Sequence, residues 1–260
     1  MGRYRYLFEQ LVRRELRQKY QGSALGIVWY LVNPLVLMGA YTLMFTYVLK
    51  SPVADVHDYP VFILIGIVVW TFFSGSLTAA AGSLLDQGSL IRKASFPRET
   101  IPAATVTVQF VTFAVLLVLV GAVSLAVRGN VDVSLLTLPF TVACLYGFAL
   151  GLALAVSVLH AYFRDVAPIL GAVLLPWFFI SPVFFSPDDF PGSSAHHWVE
   201  PIVRWVNPVA PFIEGIRKPL FDGAGPGWGV IAYVAIAAVI ALVVGRALFR
   251  RMQGELAVVL

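Results

Sequence analysis

Six long stretches of this chain contain no Asp, Glu, Lys or Arg: Tyr20–Leu49, Tyr59–Leu85, Thr100–Val127, Val133–Phe163, Val166–Pro187 and Gly223–Gly245. The shortest has 22 residues and the longest 31. The hydrocarbon core of a bilayer, roughly 30 Å thick, is crossed by about 20 apolar residues in a helix. Backbone groups at that depth find no water, so a run of this kind satisfies its own hydrogen bonds as a helix. The pattern predicts an all-α polytopic membrane protein with six transmembrane helices. Only 12% of the residues are charged, against about 25% in soluble domains, and they crowd into the short segments between the runs. No room is left for a soluble catalytic domain. The whole of 1–260 reads as one transmembrane domain: an interface helix in 1–20, spans one to five in 21–187, an external segment in 188–222, span six in 223–249 and a tail in 250–260.

The basic residues alternate in side. Arg3, Arg5, Arg13, Arg14, Arg17 and Lys19 precede the first run; Arg92, Lys93 and Arg98 follow the second; Arg164 follows the fourth; Arg246, Arg250 and Arg251 close the chain. The opposite side holds only Lys50, Arg128, Arg204, Arg217 and Lys218. The positive-inside rule places both termini of this multi-pass membrane protein in the cytoplasm. The net charge of +4 is thereby a matter of topology, and nucleic acid is not an expected partner. Cys144 is the only cysteine, so no intrachain disulfide forms, and its place in the fourth run suits a small packing residue. The first run is too long for a cleavable signal peptide and follows a charge-rich segment of some twenty residues.

What the runs lack narrows the function. Ion-coupled transporters and proton pumps place carboxylates, histidines or lysines at membrane depth; of these the runs hold only His160, near the end of the fourth. No serine is paired with a histidine or aspartate in a hydrolase pattern, so no catalytic residue is expected. The adjacent His196 and His197 have no evident third ligand, so no metal site is expected. The phosphate-cradling pattern G-x-x-x-x-G-K-[ST] is absent, so uphill transport would need energy from another polypeptide.

Between and within the runs, several segments have character. Tyr4, Leu7, Phe8, Leu11, Val12, Leu16 and Tyr20 recur at helical spacing, with Glu9–Arg13 and Glu15–Lys19 pairs on the charged face. This predicts an amphipathic helix lying in the cytoplasmic interface. Tyr30, Asn33, Leu37, Tyr41 and Met44 or Phe45 share one face of the first run, which either lines a pathway or is ordinary packing. The loop Asp86–Glu99 mixes Leu90, Ile91 and Phe96 with Arg92, Lys93 and Arg98; exposed apolar residues there would suit docking to a partner, while the charges also enforce topology. The segment Asp188–Asp222 is rich in proline and aromatics, with Trp198, Ile202 and Trp205 at helical spacing. A solvated loop rarely carries so much apolar area, so short re-entrant or interfacial helices are expected on the external side.

Five motifs in order then resemble one family. They are Tyr20-Gln-Gly-Ser23-Ala-Leu25-Gly26-Ile-Val-Trp29 with Pro34 beyond; Leu90-Ile91-Arg92-Lys93-Ala-Ser-Phe96-Pro97-Arg-Glu99 with Pro102; Tyr162-Phe163-Arg164-Asp165-Val166; Ile180-Ser181-Pro182-Val-Phe-Phe; and Asn207-Pro208 followed by Phe212-Ile-Glu214-Gly-Ile-Arg217. Together they are similar to the membrane subunit of ABC-2 type polysaccharide exporters, which move O-antigen, teichoic acid, capsule or galactan chains. The resemblance implies a homodimer of six-span subunits served by a separate nucleotide-binding ABC subunit, in a 2+2 complex. ATP and Mg²⁺ would belong to that partner, with no cofactor on this chain and no enzymatic activity of its own. It implies that Leu90, Ile91, Arg92, Lys93 and Phe96 form the coupling helix on the ATPase. Tyr162, Phe163, Arg164 and Asp165 would lie at the cytoplasmic entrance, and Trp198, Trp205, Asn207 and Phe212 at the external gate. The pathway, lined in that family by the first and fifth spans, would include Tyr30, Asn33, Tyr41, Phe45, Trp177, Ser181 and Phe184.

A channel for sugar polymer suits such aromatics. Ring faces stack weakly on sugars, and a series of equivalent weak sites lets a chain slide without a deep trap, as conduction requires; lipid-facing aromatics are the competing reading. The expected function is the permease subunit of an ATP-driven exporter of a lipid-linked polysaccharide, in contact with membrane lipids. The alternatives are an ABC-2 exporter of a small lipid or drug and, less in keeping with the residues, a membrane-embedded transferase.

Overall fold

The structure is a computed structural model that describes residues 2–20, 28–50, 56–93, 96–187 and 201–256. Among these the chain is helical, with no strand. The elements are α1 (Gly2–Tyr20), α2 (Val28–Thr42, continued by a π-helical turn Leu43–Val48), α3 (Tyr59–Asp86), α4 (Gly88–Lys93), α5 (Thr100–Arg128), α6 (Leu138–Tyr162), α7 (Val166–Ile180), α8 (Ala210–Arg217) and α9 (Trp228–Met252). Shorter turns cover Val133–Thr137, Ile202–Val206 and Lys218–Asp222.

Five helical segments are long and apolar enough to cross a membrane: Leu31–Val48, Tyr59–Asp86, Thr100–Arg128, Val133–Tyr162 and Trp228–Met252. The chain is a multi-pass membrane protein. The fifth run departs from expectation. It was expected as one span through Pro187, but the helix stops at Ile180 after 15 residues, roughly 22 Å at 1.5 Å per residue. Pro182 is the reason: the residue before a proline is driven out of helical conformation, and Ser181 is extended at φ −77°, ψ 147°. Val183, Phe184 and Phe185 then turn back into the core. The sixth span is displaced from its charge-free run. It begins at Trp228, beyond the glycines and Pro226, and continues through Arg246, Arg250 and Arg251 to Met252.

Helix α3 is the axis of the fold. It is apolar on every side, as a helix enclosed by neighbours must be, and 78% of its span is buried, against 6% for α2. Around it pack α2, α5, α6, α7 and α8. Helices α6 and α9 meet most closely. A Cβ at Gly151 would strike the backbone of Ala241, and one at Gly245 would strike the Gly151 carbonyl. Small residues at a crossing let two backbones touch, which is how helices associate where lipid removes the hydrophobic drive.

The core has two parts. The larger runs through the spans and includes Phe73, Phe113, Leu145 and Phe212. The smaller gathers Leu11, Leu84, Ile91, Ile101, Leu154, Val158, Phe249 and Leu256. This second cluster brings α1, α4 and the end of α9 to one side of the bundle, the terminal side; α8 and the turn after α7 lie on the other, the distal side. The N-terminal helix spans Gly2–Tyr20 as its periodicity predicts. It is also docked: Leu11 is buried, and Thr105 on α5 donates to Glu15 at 3.0 Å.

Candidate functional site: the two ends of the bundle

On the terminal side, α4 follows α3 after a break at Gln87. Ile91 is buried, and Leu90 and Phe96 are half-buried against the second core. The apolar residues of this loop were expected to be exposed; instead they seat α4 on the bundle, because Leu84, Ile101 and Phe249 offer a ready apolar floor. The helical backbone of α4 includes Arg92 and Lys93, whose side chains lie outside the described set. The chain just after α4 is tied to the last helix. The Glu99 carboxylate accepts from Arg246 Nε at 3.1 Å and Arg250 Nε at 3.0 Å. Arg98 donates to the Gln253 carbonyl, and the Tyr162 hydroxyl donates to the Met252 carbonyl at 2.5 Å. Tyr162 is thus a tie between α6 and α9. Phe163, Arg164 and Asp165 are exposed, and Asp165 stands at the N-cap of α7 with no side-chain cap bond.

Polar residues of α1 reach the flank of the spans. Lys19 Nζ donates to Gln109 Oε1 at 2.8 Å and Thr112 Oγ1 at 3.3 Å. Burial pulls its pKa down to about 8, against the opposing pull of Glu15. The Glu15 carboxyl is raised by burial, which outweighs its bond from Thr105.

Between α2 and α7 lies an aromatic cluster. Tyr41 packs against Phe178, Phe179 and Phe184 with centroids 5.8, 6.4 and 4.7 Å away, and Phe45 stacks on Phe184 at 5.2 Å. The structure brings together the residues expected on the pathway, Tyr41, Phe45 and Phe184. Phe184 and Ser181 are buried and brace the turn from within, while Phe179 is 47% exposed. Asn33 is exposed, at the mouth of a cavity away from α7; the Tyr30 side chain lies outside the described set.

The distal side is held by hydrogen bonds. Trp177 Nε1 donates to Asn207 Oδ1 at 2.9 Å, and Asn207 Nδ2 donates to Ser181 Oγ at 3.0 Å. The same Oδ1 accepts from the Val209 amide at 3.1 Å, an Asx turn that starts α8. Ser181 and Asn207, from separate motifs, and Trp177 of the fifth run thus form one network. Phe212 is fully buried and stacks on Phe148 at 5.0 Å; it is core of the bundle, since α8 lies inward. Trp205 is partly exposed and leans on Tyr233, which donates to its carbonyl at 3.0 Å. Trp198, His196 and His197 lie outside the described residues.

Sequence reasoning missed the charges beside them. Arg217 is 4% exposed. It donates to the carbonyls of Pro182 at 2.7 Å, Val183 at 2.9 Å and Phe185 at 3.5 Å, and lies 3.7 Å from the Phe62 ring centre. Gly66 makes the space, for a Cβ there would sit 2.6 Å from the guanidinium. Burial pulls the Arg217 pKa down to about 9, which leaves it charged at neutral pH. One turn away, buried Glu214 accepts from Arg204 at 2.9 and 3.1 Å and pairs with Lys218 at 2.7 Å. Burial alone would raise this carboxyl; bonds and charge from Arg204 and Lys218 outweigh it and hold it below the usual range. The available signal was Glu214, Arg217 and Lys218 at spacings of three and four in an otherwise apolar stretch.

Comparisons with known proteins agree on one family. Residues 6–221 match the family described as "ABC-2 type transporter". The chain is 26% identical over 254 residues to the O-antigen export system permease protein RfbA of Myxococcus xanthus, covering 98% of this chain and 95% of that one. It is 25% identical over 259 residues to the protein of that name from Klebsiella pneumoniae, covering 98% and 96%. It is 26% identical over 247 residues to the polysialic acid transport protein KpsM of Escherichia coli, covering 93% and 92%.

Proposed function

This chain belongs to the ABC-2 type transporter family, and from that premise we infer that it is the transmembrane subunit of a polysaccharide exporter. The observation that carries the inference is end-to-end similarity to export permeases for two different polysaccharides. The cargo is a lipid-linked glycan, and the energy comes from ATP hydrolysed with Mg²⁺ on a separate ABC subunit. The terminal side, where the basic residues concentrate, faces the cytoplasm of a bacterial cell.

Two copies form the pathway. Supporting this, few residues of α2 are fully buried within one chain, and α7 buries only Leu174 and Phe178. Both helices hold faces that a second copy would cover, and Phe179 and the Tyr41 cluster lie beside them. Weak ring–sugar contacts there suit a sliding polymer better than a single tight site would. The external gate is the Trp205–Asn207–α8 region, pinned to the turn after α7.

Coupling runs through α4. Its seat on the second core, which joins α1, α3, α5, α6 and α9, supports this reading: a push on Ile91 meets the ends of five helices at once. Reconstituted with its ABC subunit, the complex should translocate a lipid-linked glycan when ATP is supplied. Efflux of a small lipid or drug with no glycan dependence would overturn the assignment. Replacing Arg92 and Lys93 together by alanine should leave membrane insertion and ATP hydrolysis intact while export falls at least tenfold; wild-type export by that variant would sink the coupling role.

A further inference from the structure

A groove of about 330 Å³ lies between α5, α6 and α9. Its floor is Leu150 and Leu154 of α6; its walls are Ala103 of α5 and Leu242 and Val243 of α9. At one end stand Glu99 and Arg246, and Arg250, one turn beyond, shares the same carboxylate. The groove is apolar along its length and charged at one end.

The depth of the charged end follows from α9. Measured along that helix from Trp228, Arg246 lies about 27 Å away and Arg250 about 33 Å. Trp228 is 86% exposed, as an aromatic at a membrane surface is. With Trp228 at one boundary of a hydrocarbon core about 30 Å thick, the two arginines straddle the other. Their long side chains extend outward from there to the headgroups. Leu242 lies one turn inward of Arg246 and Ala103 one turn inward of Glu99, so the apolar part of the groove enters the hydrocarbon.

The guanidiniums have donors to give. Glu99 takes Arg246 Nε on Oε2 and Arg250 Nε on Oε1, which sets the two forks side by side. Both arginine side chains are more than half exposed, so their terminal nitrogens reach outward. Glu99 offsets one of these two charges, and Arg98 beside it adds another cation. The surroundings face lipid: Val239, Val243, Arg246 and Arg250 form one exposed stripe on α9, at spacings of four, three and four. Among the described residues, none of α2 or α7 lines the groove, so it opens away from the inferred pathway.

We propose that Arg246 and Arg250 bind the phosphate of an anionic phospholipid, whose acyl chain lies in the groove over Leu150 and Leu154. The lipid spans from α5 to α9 across α6 and is distinct from the exported cargo. A guanidinium fork meets phosphate through parallel charge-assisted bonds. The surplus of positive charge at this end favours an anionic head over one that carries its own ammonium.

The test is native mass spectrometry of the delipidated full-length protein, titrated with phosphatidylglycerol, phosphatidylcholine, glycerol 3-phosphate or a polyprenyl diphosphate. One phosphatidylglycerol should bind per chain, at least about tenfold tighter than phosphatidylcholine. Arg246→Gln combined with Arg250→Gln should weaken it at least about tenfold, the loss expected of one charge-assisted bond or more. Ala103→Leu, which fills the groove and leaves both arginines in place, should weaken it as well, with gel-filtration behaviour unchanged. Phosphatidylglycerol binding that survives both the double variant and Ala103→Leu would overturn the site, as would equal binding of phosphatidylcholine. Glycerol 3-phosphate binding as tightly as phosphatidylglycerol would overturn the lipid and leave a free-phosphate site. Polyprenyl diphosphate binding as tightly would overturn the phospholipid assignment and make the groove a cargo site.

Discussion

The two ends of the bundle are fastened by opposite means. On the distal side the fasteners are buried charges and amides: Arg217 on three carbonyls, Glu214 between Arg204 and Lys218, and Asn207 between Trp177 and Ser181. On the terminal side, ion pairs are open to solvent, with Arg246 and Arg250 both more than half exposed beside Glu99. Between the two ends, the close contact of α6 and α9 is backbone on backbone, Gly151 on Gly245. A buried charge with fixed partners is costly to disturb, whereas an exposed pair exchanges readily with water. The distal end is thereby set to hold one arrangement, and the terminal end to shift under load. That division would suit the conduit proposed above, with drive applied at one end and the turn at the other closed until the spans move.

Breaking the distal pin should have the largest effect. Arg217→Met removes the guanidinium and leaves the Pro182, Val183 and Phe185 carbonyls without their donor in a dry setting. The expected loss is about 3–5 kcal/mol, read as a lower thermal unfolding midpoint in detergent and poor recovery of folded protein. A wild-type midpoint would show that the pin is ornamental and erase the contrast between the ends.

Next comes Gly151→Val. Its side chain meets the Ala241 carbonyl group and the Leu242 amide, neither of which can rotate away. Helices α6 and α9 must separate, at a cost of about 1–3 kcal/mol. Disulfide trapping of cysteine pairs placed across the α6–α9 crossing should slow as the helices part. Unchanged trapping and stability would mean that the contact is slack.

Much of this was legible in the chain itself. Charge-free runs located the spans because a bilayer excludes charge whatever the packing, and the spacing of Leu7, Leu11 and Val12 revealed α1. Other features depend on contacts that no local pattern carries. The short α7 was hidden because Pro182 looks the same whether it kinks a span or ends one; only the inward turn of Val183–Phe185 decides. Phe212 reads as a gate residue by motif and as core by position, because depth of insertion is a tertiary property. Ile91 was expected outward since its floor is assembled from five distant segments. Arg217 and Glu214 stand within a motif without any local sign of burial, because charges flanking apolar residues between spans ordinarily face solvent. The bonds of Arg217 to the Pro182, Val183 and Phe185 carbonyls and the burial of Glu214 between Arg204 and Lys218 exist only after folding.

The smallest expected effect sharpens the terminal half of the comparison. Glu99→Gln removes the charge that Arg246 and Arg250 share, but all three side chains reach solvent, so water and lipid headgroups replace most of what is lost. The loss of stability should be less than about 1 kcal/mol, read as a small fall in the unfolding midpoint. The difference from wild type should shrink further at about 1 M salt, where the screening length is roughly 3 Å. Arg217→Met should be insensitive to the same salt, because no ion enters its buried site. A loss for Glu99→Gln as large and as salt-independent as that of Arg217→Met would mean that the terminal end is pinned like the distal one, and the division between a fixed end and a movable end would fail.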